Sequence, residues 1–370
     1  MQRCSKCVTP TSYPKTHLNH EGICNYCLDY ENIYSNWENS KKDNIEKFIH
    51  LINWAKKRSK TYDALVPLSG GKDSIYVLYL ARKKYNLKVL CYNFDNGFQS
   101  DIARENIKSA VDSTGADLIV VKPDEKLLMQ LYKHFLKHVG MFCPVCMRGI
   151  YYGQFSIAKQ HKIPLVLKGT SMRTEENLVP EIFQDGSLSF FKNVLKKFPF
   201  TSDIRPFLID RDLKAKIFRA IYLLSKGKYI FGSIDIQVPE YFDWIYEDIY
   251  KIISNEMGWK ALPDRDEHVD CLADPTVHYL RAIRCKALTP NTLRYSAEIR
   301  SCQMDRQKAI NLIEEEKQAG IKTKYIDYFI DKLCISRQDL MSYMSNNLRH
   351  MKFQRDGLIM SGFNMIRKLI

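Results

Sequence analysis

The chain has 370 residues, 45% of them hydrophobic and 26% charged, which excludes a fibrous or disordered protein and leaves room for two or three domains. A net charge of +14 points to an anionic partner (RNA, a nucleotide-linked substrate or a membrane surface), or to nothing more than a Lys-rich surface. Six of the eleven cysteines form three CxxC pairs, which argues against a secreted disulfide framework, and the absence of an apolar signal region or membrane-length apolar run reads as cytoplasmic.

Residues 1–35 are polar and turn-rich and carry Cys4-x2-Cys7-x16-Cys24-x2-Cys27. That spacing predicts a tetrahedral zinc site, against the alternative of unligated thiols in a disordered tail. So short a segment cannot bury a core, so metal would supply its folding energy. His17 and His20, between the knuckles, read as solvated rather than as ligands. Residues 36–60 repeat Ile45, Phe48, Ile49, Ile52, Trp54 and Ala55 at helical spacing and predict a bridging helix.

From 61 to 237 strands and helices alternate. Strands are expected at 63–68, 88–94, 117–122 and 163–169, and helices at 74–85, 103–115 and 124–140, the last ending at Gly140. This order predicts an α/β fold with a parallel sheet covered on both faces, whose ligands bind at the carboxyl ends of the strands. "SGGKDS" (69–74) follows the first strand and Gly169-Thr170 follows the fourth, so both should face one crevice. Ser69-Gly70-Gly71 would let backbone N–H groups approach an anion at a helix N-terminus. Lys72 would add a mobile charge, Ser69 and Ser74 hydroxyl donors, and Asp73 a carboxylate that suits phosphate only with Mg²⁺ between them. The plainer alternative is a Gly-rich turn capping a helix. "NFDNGF" (93–98) reads on its own as an Asn-Gly turn.

"CPVC" (143–146) reads as a CxxC at the end of a helix inside this domain, with metal, zinc-bound or bare structural thiols open as alternatives. Cys91 reads as core, and Cys285, Cys302 and Cys334 have no partner spacing. Residues 238–370 read as mainly helical.

The strand–SGGKDS–helix unit resembles the PP-loop ATP pyrophosphatase superfamily (adenine nucleotide α-hydrolase-like), over residues 62–235. The resemblance implies ATP cleavage between the α- and β-phosphates, with Lys72 and Asp73 catalytic and Ser69, Gly70, Gly71 and Ser74 on the nucleotide. It also implies that Phe94, Asp95 and Gly97 lie beside adenosine, that Gly169 and Thr170 belong to a later nucleotide loop, and that "DIRPFLIDRD" (203–212) is an Arg-Pro segment of the thiolase kind. By resemblance to the tRNA 2-thiolation branch, Cys143 and Cys146 would join Cys271 around an iron–sulfur cluster with one open iron.

The full layout resembles the N-acetyl sugar amidotransferase family: the Cys4 knuckle, the loop, "CPVCMRG", "YFDWIYEDIYKIISNEMGW" (241–259), "DEHVDC" (266–271) and "YSAEIRSCQMDRQKAINLIEEE" (295–316). That resemblance implies an acetamido sugar substrate turned into an acetamidino sugar, in surface-polysaccharide or flagellin-glycan biosynthesis. No glutaminase motif is visible, so ammonia is expected from a separate glutaminase resembling the histidine-biosynthesis glutaminase and cyclase pair. Two rivals stand beside this reading: a thiolase-like tRNA-modifying enzyme, and a zinc-ribbon nucleic-acid-binding module with a degenerate loop.

Overall fold

The computed structural model describes residues 2–175, 186–210, 213–225, 227, 229–262, 270–319 and 323–345. Residues 211–212 and 266–269, which belong to two segments singled out above, lie outside the described residues. Five parallel strands form one sheet: β1 (Ala64–Pro67), β2 (Val89–Phe94), β3 (Asp117–Val121), β4 (Leu165–Lys168) and β5 (Ile234–Gln237), in the order β3-β2-β1-β4-β5. β1 is central, with Ala64 level with Val89 on one side and Leu165 on the other. Burial on both faces explains why it reads as an unbroken apolar run.

β5 was not expected. It has four residues, "IDIQ", too few for a clear alternation. Ile234 and Ile236 are buried, while Asp235 takes ion pairs from Lys168 and Arg219.

The helices are α1 (Asn25–Tyr34), α2 (Lys41–Arg58), α3 (Lys72–Tyr79), α4 (Asp101–Thr114), α5 (Glu125–Val139), α6 (Cys143–Tyr152), α7 (Leu188–Lys197), α8 (Leu213–Leu224), α9 (Tyr246–Met257), α10 (Asp274–Cys285), α11 (Thr292–Arg300), α12 (Arg306–Ala319), α13 (Thr323–Leu333) and α14 (Arg337–Ser345). α2 buries Phe48, Ile52 and Ala55 as its spacing predicts, and Leu51 beside them; Ile45 and Trp54 are partly buried, and Ile49, expected on the same face, is exposed. α3 continues into a π-helical turn over Leu80–Lys84. Ser100 and Asp124 cap α4 and α5, and Gly115 and Gly140 end them in the left-handed conformation. The chain then restarts, so the Cys143 pair opens α6, with Pro144 in its first turn, rather than closing a helix as expected.

Two cores result. One lies against the sheet and includes α2, α3 and α9 with Trp244 and Trp259. The other joins α5, α7, α10 and α13. No described helix is long and apolar enough to cross a membrane. The parallel sheet with helices, the N-terminal cysteine cluster and the mainly helical C-terminal region are the α/β arrangement the sequence predicts.

Candidate active site

The chain leaves β1 into Ser69 and turns at Gly70, whose φ is +90°. A Cβ there would sit 2.5 Å from the Ala103 carbonyl oxygen, so position 70 demands glycine on both counts. The Gly70 carbonyl accepts from the indole of Trp259 at 3.0 Å and the amide of Asn106 at 3.2 Å. The Ser69 carbonyl accepts from Gln99 at 3.2 Å. Ser69 and Ser74, expected as donors to an anion, tie the loop to itself. Ser69 Oγ accepts from Gly71 N, and Ser74 Oγ accepts from Ser69 N and donates to the Gly71 carbonyl. Gly71 stands at the N-terminus of α3 with no side-chain cap, so first-turn N–H groups face the crevice.

Lys72 is buried, and its ammonium lies 4.1 Å from the centre of the Tyr246 ring and 3.1 Å from Asp73 Oδ2. Asp73 Oδ1 accepts from the Trp244 indole at 2.6 Å. A second carboxylate, Asp270, approaches from the far side. A Cβ built on Gly71 would lie 3.5 Å from its Cγ.

The other expected nucleotide residues gather at the same end of the sheet. Asp95 Oδ1 accepts from Gly97 N at 3.0 Å, and Gly97 has a φ of +76°, which makes the Asn-Gly turn. The Phe94 ring packs on Gly149 of α6, where a Cβ would fall 2.0 Å from its Cζ. Gly169 lies against the Asp73 backbone, its Cβ position 2.9 Å from Asp73 C. Thr170 Oγ1 meets Gln237 at 3.5 Å. Glu240 then fixes the loop after β4, accepting from Ser171 Oγ and from the N–H groups of Met172 and Arg173.

Cys4, Cys7, Cys24 and Cys27 are fully buried, with all four sulfurs within 4.8 Å of one another, and can hold a metal ion. Cys4 and Cys27 stand 3.9 Å apart, and Cys7 and Cys24 3.8 Å apart. A tetrahedron with Zn–S bonds of about 2.3 Å has edges of about 3.8 Å, the separation at which these two pairs stand. Hydrogen bonds from Cys24 and Cys27 hold the Cys4 and Cys7 thiols below the usual range, Cys7 at about 6. His17 and His20 are exposed and outside the set.

The inner cysteines behave differently. The Asn96 amide lies 3.7 Å from both Cys146 Sγ and Cys271 Sγ. Tyr132 donates to the Asn96 carbonyl at 3.1 Å. Cys143, Cys146 and Cys271 do not form a set with every sulfur within 4.8 Å of the others. Burial pushes Cys143 up to about 12 and Cys146 up to about 11, and it raises Cys271 well above its ordinary value. The strand-like pairing of Gln99 with Cys271 brings that third thiol, and Asp270 before it, beside the crevice. Cys91 is core, as expected.

Several site residues escaped the sequence reading. Trp244 and Trp259 belong to the "YFDWIYEDIYKIISNEMGW" segment and clasp the loop from 171 and 189 residues away. Asn96 lies inside the quoted "NFDNGF" and Asp270 inside "DEHVDC".

Residues 288–369 match the family described as LPS biosynthesis protein WbpG-like, C-terminal domain. An uncharacterized protein of Methanocaldococcus jannaschii is 28% identical over 182 residues, 49% of this chain and 63% of that protein, so the chain spans less than two thirds of this curated relative. Among solved structures, the chain is similar to the U34-tRNA thiolase NcsA from Methanococcus maripaludis with its [4Fe-4S] cluster, at 17% identity and a TM-score of 0.31 over 85% of this chain and 89% of that one. So loose an overlap carries no argument about ligands.

Proposed function

We propose that this protein is an AMP-forming amidotransferase that converts the acetamido group of an N-acetyl sugar, nucleotide-linked or nonulosonic, into an acetamidino group. Its setting would be the biosynthesis of lipopolysaccharide or of a flagellin glycan, in the cytoplasm. The observation that carries the reading is the WbpG-like match over 288–369, part of which contacts the residues that hold the loop. Gln303, inside the matched segment, hydrogen-bonds the backbone of Trp244 and Tyr246, the residues that touch Asp73 and Lys72.

The amide oxygen would attack the ATP α-phosphorus and displace pyrophosphate, giving an O-adenylyl imidate. Ammonia would then add to the imidate carbon, and AMP would leave with the former amide oxygen. Lys72 and the N–H groups opening α3 would hold the phosphates in line and offset the charge that develops on them. Mg²⁺, when bound, supplies further charge neutralisation, and the oxygen donors of Asp73 and Asp270 suit it. Ammonia would come from a separate glutaminase. The experiment supplies ATP, Mg²⁺, an ammonium salt and a panel of acetamido sugars. AMP, pyrophosphate and a basic product about one mass unit lighter (NH for O) support the reading. Turnover with glutamine alone, or none with any sugar, counts against it.

A thiolase-like role in tRNA modification is the second reading. It is favoured by the Cys146 and Cys271 thiols gathered around Asn96 beside the crevice, and by the net charge of +14. Sugar-independent AMP release stimulated by tRNA, with binding that weakens steeply as salt rises, would select it.

A further inference from the structure

We infer that Gln303 is a positioning residue for the Ser69–Ser74 loop, and that through it the four-cysteine site sets the placement of Lys72 and Asp73. The inference rests on reading that loop as the nucleotide loop. Gln303 uses both ends of its carboxamide. Nε2 donates to the Trp244 carbonyl at 2.8 Å, and Oε1 accepts from Tyr246 N at 3.0 Å, one of the N–H groups that α9 leaves open at its first turn. The two residues so pinned contact the loop's charged side chains: the Trp244 indole donates to Asp73 Oδ1, and the Tyr246 ring lies against Lys72. Trp244 is fully buried, so a shift of its backbone must move the indole or open a void.

The other end of the connection is the metal site. Gln303 follows the end of α11, its own N–H donating to the Glu298 carbonyl at 2.8 Å. Three residues before it, Arg300 lies 3.7 Å from Cys7 Sγ. Three residues after it, Arg306 donates to the carbonyls of Cys7 and Cys4, both at 3.1 Å. The two arginines therefore grip the first CxxC from either side of the glutamine. A metal that fixes Cys4 and Cys7 fixes the arginines, the glutamine between them and the two aromatic residues on the loop.

The test uses the full chain labelled with 5-fluorotryptophan. The Trp244 fluorine resonance is assigned by its loss in Trp244→Phe, with Trp54 as the internal control. Gln303→Ala should shift the Trp244 resonance, leave Trp54 in place, and lower kcat for AMP formation on the order of tenfold with little change in KM for ATP. Gln303→Glu keeps the acceptor for Tyr246 N and turns a carboxylate on the Trp244 carbonyl. Its activity should recover as pH falls from about 8 to about 6, where a part-buried Glu takes up a proton and can donate again. Cys24→Ser, or Arg306→Ala if the cysteine variant does not fold, should shift the Trp244 resonance in the same direction. An unmoved Trp244 signal in Gln303→Ala overturns the positioning role. A shift in Gln303→Ala with none in Arg306→Ala overturns the link to the metal. A wild-type chain that neither binds ATP nor forms AMP ends the nucleotide reading instead, and leaves the fluorine result to judge the connection.

Discussion

At the N-terminus four fully buried sulfurs stand 3.8 and 3.9 Å apart across their pairs, and every one is within reach of one ion. In the crevice, Cys143, Cys146 and Cys271 are half-buried and spread, with the Asn96 amide between two of them. Both sites use the CxxC spacing, yet the surroundings separate them. A closed tetrahedral set leaves no coordination position for a substrate and contributes folding energy. The three inner thiols do not close into such a set and lie near the carboxyl end of the parallel sheet, where ligands of such sheets bind. Spacing in sequence therefore predicts that cysteines act together. What they act on is decided by the elements that carry them: a short segment clasped by Arg300 and Arg306, against a helix N-terminus and a strand-like pairing beside the loop.

The largest effect should come from the loop between the two sites, without disturbing either. Lys72→Ala should lower AMP formation on the order of a hundred- to a thousandfold with the metal content of the N-terminal site unchanged. Asp73→Asn is the cleaner partner variant. Asp73→Ala would also strand the buried Trp244 N–H, at a cost of about 1–3 kcal/mol in stability. Full turnover by Lys72→Ala, followed as pyrophosphate release, removes the loop from the chemistry.

Next in size is the outer site. Cys24→Ser should lose its metal, and stability should fall by several kcal/mol, on the order expected where metal binding supplies folding energy. AMP formation by the remaining folded protein should drop far less than in Lys72→Ala. Unchanged zinc by elemental analysis would break the contrast between the sites at once.

The contrast also marks where sequence reasoning reaches. The loop was legible because its parts are contiguous: strand, two glycines, Lys72, Asp73 and helix lie within a dozen residues, and the φ of Gly70 requires what the sequence supplies. The outer cysteines were legible for the same reason. The residues that hold the loop were not, because Trp244, Trp259 and Gln303 reach it through the tertiary fold and look like ordinary helix or loop residues in their own segments. Cys271 entered only through a resemblance. Its place beside the crevice depends on a single bridge to Gln99, which no local pattern encodes. β5 was missed because four residues carry too little periodicity, and the restart of the helix at Cys143 because Gly140 and Pro144 sit so close together.

The inner site offers a third, smaller test. If Cys143, Cys146 and Cys271 hold an iron–sulfur cluster, protein purified without oxygen should show a broad absorbance at about 400 nm. Cys271→Ser should remove it while the outer zinc stays in place. Colourless, iron-free and fully active protein would reject a catalytic cluster and leave zinc or bare thiols at the inner site.

The smallest effect lies on α5, which serves both a site and a surface. Tyr132 reaches toward the inner thiols, whereas His138 stacks on Phe198 with ring centres 4.1 Å apart. Partial burial, with smaller contributions from His134 and Lys137, lowers the His138 pKa from 6.5 to about 4. The folded protein thus keeps this ring neutral where the unfolded chain would protonate it. The stabilising contribution is fully present above about pH 6.5 and is lost as pH falls toward about 4. The ring is only partly buried, so solvent screening keeps the effect modest. His138→Phe keeps the stack on Phe198 and removes the titration. In metal-free protein, where acid cannot act by releasing ions from thiolates, its stability should decline less steeply between those pH values than the wild type's. Parallel declines, measured by urea unfolding across the window, would show that His138 binds its proton equally in both states and that acid acts on α5 elsewhere.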